Sequence, residues 1–226
     1  MNFYIKLVMT GWLLIFFLIL PVHAERMSLN DLIIKLQKSY EMAENFEARF
    51  IQEAIIKSIN KTETEEGIVY FKKPKRMRWV YSKPELKELI VNPEKAWFYI
   101  PEDNLVYIQS AEEIFNSKLT IRFLSGIGKL KDDFQIKFSQ PGPTDGEGNY
   151  LLDLIPRNFE AGIEKILLIV NKDDFQIMEF ALTDIYGNIT RIKFKDMKTN
   201  NKLPDTFFIF TPPSGVEIYD IQKESS

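Results

Sequence analysis

The chain has no cysteine, and its one histidine, His23, stands near the start of a 226-residue sequence. Without thiols there is no disulfide framework, no thiolate nucleophile, no sulfur-ligated zinc and no lipid-modified cysteine. If the leader described below is cleaved, histidine leaves with it. Ser-His-Asp and Cys-His catalysis, imidazole-bound metals and the usual near-neutral general base are then excluded as well. No cofactor or metal is expected. Carboxylate-only enzymes survive this filter, but the acidic pairs Asp132-Asp133 and Asp173-Asp174 lie beside turn-forming sequence, where acids serve the backbone. The reading is a protein that is not an enzyme. No period of 20 to 50 residues signals a solenoid or propeller. A long apolar run is also missing: the unbroken stretch from Trp12 to Leu20 is nine residues, well short of the ~20 that span a bilayer.

That short run nevertheless has a role. Lys6 precedes the apolar segment 7–20, and Pro21-Val22-His23-Ala24 follows with small residues placed for a cut after Ala24. This is the pattern of a secretory signal peptide, so residues 1–24 are expected to be removed and 25–226 to form one soluble domain outside the cytoplasm. The composition, 45% hydrophobic and 27% charged, suits a single sizeable core. A formal net charge of -3 makes the basic stretch FKKPKRMRWVYSKP (71–84) a local feature, and nucleic acid is not an expected partner.

Ser28-Leu29-Asn30-Asp31 resembles a capping box, and Leu29, Leu32, Ile33, Leu36 and Tyr40 follow at helical spacing, which predicts a helix over 29–43. From Phe46 the period switches to two. Strands are predicted at 46–53, 68–72, 77–81, 86–91, 96–100 and 105–108, separated by turn-forming residues. A second capping box, Ser110-Ala111-Glu112-Glu113, opens a helix carrying Ile114, Phe115, Leu119, Phe123 and Leu124. Strands resume at 134–138, 150–155, 163–170, 175–182, 189–194 and 206–210. The expectation is an α+β protein with one large, curved antiparallel sheet of about ten or eleven strands and two helices able to cover one face. Met77, Trp79 and Tyr81 share one side of their strand, which leaves Arg76 and Arg78 on the other, in solvent.

Several stretches together carry a resemblance. Phe46 to Gln52 reads F-x-A-x-F-x-Q after a helix, and Gly67 to Pro74 reads G-x-hydrophobic-x-hydrophobic-x-[KR]-P. Met77-Arg78-Trp79 and Pro84 follow in order. Ala96 to Pro101 resembles a W-x-Y-x-P strand end, Asp184 to Asn188 a D-x-x-G-N turn, and Phe208 to Val216 an F-x-F-x-P-P-x-G-V terminus. In this order, over nearly all of 25–226, the chain resembles the outer-membrane lipoprotein carrier proteins, the LolA family.

The resemblance implies an incomplete, open β-barrel whose helices form a lid over an apolar cavity. It implies a monomeric periplasmic chaperone that takes acylated lipoproteins from an inner-membrane lipoprotein-releasing ABC transporter complex and passes them to an outer-membrane receptor. The residue before Pro74, often Arg in the family and implicated in lid closure and transfer, is here Lys73. Candidate residues lining the acyl-chain cavity are Leu36 and Tyr40 on the first helix, Phe50, Met77, Trp79, Ile90, Trp97 and Tyr99 on strands, and Phe123 and Leu124 on the second helix. Two other readings stay open: a periplasmic lipid-binding or envelope-stress sensing module on the same fold, and a carboxylate-dependent hydrolase of envelope glycans or lipids.

Overall fold

The computed structural model describes residues 27–117, 130–157 and 162–221. A single twelve-stranded sheet runs in the order β12-β6-β5-β4-β3-β2-β1-β11-β10-β9-β8-β7, with β12 and β7 at its two ends, so the sheet is open rather than closed. The strands are β1 (Asn45–Ile56), β2 (Lys61–Lys72), β3 (Arg76–Lys83), β4 (Lys87–Val91), β5 (Lys95–Ile100) and β6 (Leu105–Ser110), then β7 (Phe134–Phe138), β8 (Tyr150–Pro156), β9 (Ile163–Val170), β10 (Ile177–Asp184), β11 (Ile189–Thr199) and β12 (Glu217–Asp220). All pairings are antiparallel except β12 with β6. The described helices are α1 (Leu29–Met42), α2 (Ala111–Ser117) and α3 (Leu130–Asp133). None of them is long and apolar enough to cross a membrane.

The longest strands, β1 and β2, have twelve residues each and pair along their full length. Strands of that length twist and must bend to stay paired. Register shifts at Glu47/Arg49, Glu66/Gly67 and Ile177/Glu179 supply bends of the kind bulges produce. Gly67 sits at one of them because nothing larger fits. A Cβ there would lie 2.1 Å from the Val80 carbonyl oxygen and 2.8 Å from the Phe50 ring.

Each face of the sheet is covered differently. The inner face packs against α1: Leu32, Leu36 and Tyr40 meet Phe46, Ala48, Phe50, Val69, Phe71, Met77 and Trp79 in one buried cluster that continues through Leu152, Leu168, Ile177 and Phe194. The outer face of β4–β6 carries a second cluster, Ile90, Trp97 and Val106, joined by Tyr99, Ile108, Phe210 and Val216. The last two residues belong to the C-terminal segment, which crosses this face before β12 pairs with β6 at the sheet's edge.

Three expectations are corrected here. The sheet has twelve strands, and the final one is Glu217–Asp220 rather than 206–210. The Phe208/Phe210 alternation does mark a buried side, but this segment lies across the outer face, where a 3₁₀ turn over Asp205–Phe208 satisfies part of its backbone. The predicted strand 68–72 extends back to Lys61, because β1 pairs with 61–66 residue for residue. Arg76 and Arg78 do not face open solvent: their side chains are 18% and 23% exposed. Asp205 bridges Lys72 and Arg76, Arg78 donates to the Phe207 carbonyl at 3.0 Å and also pairs with Glu88, and its guanidinium stacks over the Phe207 ring. The basic stretch grips the protein's own C-terminal segment.

Candidate functional site

The helix α1 is built to lie on an apolar surface. Ser28 caps it, its Oγ accepting from the Asp31 N–H at 3.1 Å, while Asp31 carries negative charge where the helix dipole favours it. Leu32, Ile33, Leu36 and Tyr40 recur at three- and four-residue spacing and are all buried, whereas Ile34, Lys35, Lys38 and Glu41 face out. Tyr40 anchors the C-terminal half: its hydroxyl accepts from the Ile177 N–H at 3.2 Å, and burial pushes its ionisation far above the ordinary tyrosine range. Ser39 adds a bond to the Phe175 carbonyl.

The last carbonyls of any helix lack intrahelical donors. Here Lys73 supplies them. Its ammonium donates to the carbonyls of Tyr40 and Glu41 at 2.7 and 2.8 Å, and its backbone N–H donates to the Glu44 carbonyl at 2.9 Å. The cation sits at the negative end of the helix dipole. Partial burial pulls the lysine below its usual range, opposed by the charges of Glu41 and Glu44. The turn between β2 and β3 places this side chain, so helix and sheet are joined at the point where the chain enters β1.

Beneath the helix lies a floor of rings. Phe46 and Phe71, opposite each other across β1 and β2, stack at 4.7 Å. Phe50 meets Trp79 edge-on at 4.9 Å and Tyr81 at 5.1 Å, with Phe71 and Trp79 6.0 Å apart. At the far end of this row Gln52 donates to Glu65 at 2.9 Å, Glu65 pairs with Lys87, and the Lys87 ammonium lies 4.7 Å from the centre of the Tyr81 ring. The face thus passes from apolar floor to charged rim within one strand length.

Among the residues expected to line a cavity, Leu36, Tyr40, Phe50, Met77 and Trp79 come together on this inner face. Ile90, Trp97 and Tyr99 do not. Register decides it: Ile90 lies opposite Arg78 and Trp97 opposite Ile90, while Trp79 lies opposite Leu89, so these three residues belong to the outer-face cluster under the C-terminal segment. Phe123 and Leu124 lie outside the described residues. Phe46 and Phe71 were missed, although they share the alternation that marked Phe50. The helix is seated directly on the rings, leaving Leu32, Leu36 and Met77 with no exposed surface. Open space among the described residues includes a cleft of about 320 Å³ lined by Leu29, Ile33, Phe134 and Ile136, another of about 190 Å³ lined by Asn171, Ile177, Phe194 and Met197, and a hollow of about 10 Å³ lined by Tyr40, Phe46, Phe71 and Lys73.

Comparisons with known proteins agree with this architecture. Residues 41–211 match the family described as outer membrane lipoprotein carrier protein LolA. An outer-membrane lipoprotein carrier protein of Dechloromonas aromatica is 30% identical over 171 residues, 76% of this chain and 79% of that one. Its counterpart in Methylococcus capsulatus is 28% identical over 186 residues, 82% and 86% of the two chains. The solved structure of a conserved protein from Thermus thermophilus shares the fold, with a TM-score of 0.55 at 15% identity, covering 86% of this chain and 99% of that one. A match over most of the length, with a capped amphipathic helix held on an open aromatic-floored sheet, places this chain in the LolA family of outer membrane lipoprotein carrier proteins.

Proposed function

We propose that the protein is a periplasmic carrier that shields the acyl chains of lipoproteins between the two membranes and carries out no chemistry on them. Export is by the signal peptide 1–24, and 25–226 is the working domain. The inner-membrane ABC transporter complex loads it and an outer-membrane receptor empties it. One long acyl chain in water carries roughly 10 kcal/mol of unfavourable hydration, at ~0.8 kcal/mol per CH₂. A carrier must offset that cost and then give the chain up.

The observation that carries the reading is the Lys73 latch. An amphipathic helix covers the aromatic floor through apolar contacts and a few side-chain hydrogen bonds in its C-terminal half, made by Lys73, Tyr40 and Ser39. A lid held in this way opens without unfolding the sheet. Leu36, Tyr40, Phe50, Met77 and Trp79 are the residues we assign to the acyl chains, with Phe46 and Phe71 added from the floor, and Lys73 is assigned to lid closure. The test is release of a radiolabelled lipoprotein from spheroplasts by the purified protein. Labelled lipoprotein should appear in the soluble fraction as a complex with the carrier. Its absence, under conditions in which another LolA protein succeeds, overturns the reading.

A further inference from the structure

Trp79 is 5% exposed, and its indole nitrogen is fully buried without a hydrogen-bond partner among the described residues. Its neighbours on the inner face are the rings of Phe50, Phe71 and Tyr81, whose faces accept hydrogen bonds only weakly. Buried indole N–H groups ordinarily find a partner, and leaving one without is unfavourable. In the closed protein this donor is kept dry and unused.

We propose that the Trp79 N–H is the polar anchor of the lipid site and donates to an acyl-ester carbonyl of the bound molecule. The proposal rests on the carrier reading and specifies which part of the ligand is recognised. The surroundings select the acceptor. An ionised group set among these rings would lose its hydration with no countercharge beside it. A hydroxyl would accept the bond but bring a donor of its own to satisfy. An ester carbonyl only accepts, and it occurs where an acyl chain meets its glycerol, so the hydrocarbon on one side and the polar group on the other both find suitable ground. Along β3 the order is Met77, Trp79, Tyr81, and beyond Tyr81 stands the Gln52–Glu65–Lys87 rim. A carbonyl at Trp79 therefore directs the chain toward Met77 and the headgroup or peptide toward the rim.

The experiment follows the indole N–H directly by NMR in purified protein carrying ¹⁵N-labelled tryptophan, with Trp97→Phe assigning the signals of the described domain. Three probes are titrated: a synthetic peptide bearing an S-linked dipalmitoylglyceryl cysteine, its dialkyl-ether twin lacking the ester carbonyls, and a short-chain diacyl phosphatidylcholine. The diester peptide should move the Trp79 indole proton downfield and slow its exchange with solvent. The ether twin should leave it in place and bind about fivefold more weakly, the worth of one neutral hydrogen bond. Trp79→Phe should bind both peptides alike. A shift with the phosphatidylcholine as well assigns the site to acyl esters of either origin, and no shift restricts it to the lipopeptide; both outcomes support the anchor. Equal affinities and identical indole spectra for diester and ether overturn it while leaving the carrier reading intact, and this comparison holds in the unsubstituted protein even if the variant misfolds. Failure of every probe to bind overturns both.

Discussion

At Lys73 two hydrogen bonds from one cation end the helix that covers the inner face. Because the ammonium is partly exposed, their contribution is nearer ~1–2 kcal/mol than the larger values of buried charged pairs. Lys73→Ala should therefore accelerate amide exchange in the last turns of α1 by about tenfold, with exchange in the centre of β1 and β2 unchanged. Lys73→Arg should restore protection, since a guanidinium fork also reaches two adjacent carbonyls; hydrogen-exchange mass spectrometry distinguishes the three proteins. Asp205 is the corresponding residue on the outer face. A hydrogen bond from Lys72 holds its carboxyl below the usual aspartate value, burial opposes this, and the charges of Arg76 and Lys72 favour it. A carboxylate lowered in the folded state contributes its stabilisation above the unfolded value of 3.8 and loses it as pH falls through the lower folded value. Below about pH 4 the C-terminal segment should loosen progressively from the sheet, seen as a red shift of Trp97 emission, since Phe210 covers that ring. Asp205→Asn should show the loosened spectrum at neutral pH and no acid transition of its own.

Among the described glycines the closest approach is at the bend in β2, at Gly67. Any side chain there strikes the Val80 carbonyl and the Phe50 ring together, one of them backbone that cannot rotate away. Gly67→Ala should cost about 3 kcal/mol, read as a lower urea midpoint with an unchanged slope. The two faces of β4 and β5 make a second test. Ile90→Ala on the outer face should lose about 3 kcal/mol of stability and leave lipopeptide affinity unaltered, because α1 and the rings lie on the opposite side. How these elements could be read from sequence depends on what covers them. Phe46-Ala48-Phe50 and Met77-Trp79 alternate with charged or polar neighbours, so their inward parity was legible. In β4 and β5, Leu89-Ile90-Val91 and Ala96 to Tyr99 are apolar on both sides, and a strand buried on both faces gives no alternation to read. Only the C-terminal segment, more than a hundred residues away in sequence, makes Ile90 and Trp97 outer-face core. The same remote packing hid the fate of Arg76 and Arg78. Ring composition marked the floor, but the carbonyls that Lys73 would meet depend on where α1 ends against the sheet, and local spacing does not contain that.

For the whole molecule, the decisive comparison is between the helix and its replacement. Three buried side chains, Leu32, Leu36 and Tyr40, join α1 to the sheet's core cluster; at ~1.5–3 kcal/mol each, this is a gross stabilisation of about 4.5–9 kcal/mol. On the proposed reading, one long acyl chain brings roughly 10 kcal/mol of its own to the same floor. The two are of similar size, so in the proposed carrier lid and lipid compete for the rings and neither wins by much. Competition makes lid stability a direct term in ligand affinity: whatever weakens the closed form strengthens apparent binding by the same free energy. Lys73→Ala, having lost ~1–2 kcal/mol of closure, should bind a diacylated lipopeptide about tenfold more tightly in a fluorescence titration. It should also surrender that ligand more slowly to acceptor vesicles, since reclosure of α1 is what expels the chain. Tighter binding with slower release would show the latch driving discharge. Weaker binding would show instead that α1 folds over the ligand as part of the site, and would remove lid closure from the mechanism.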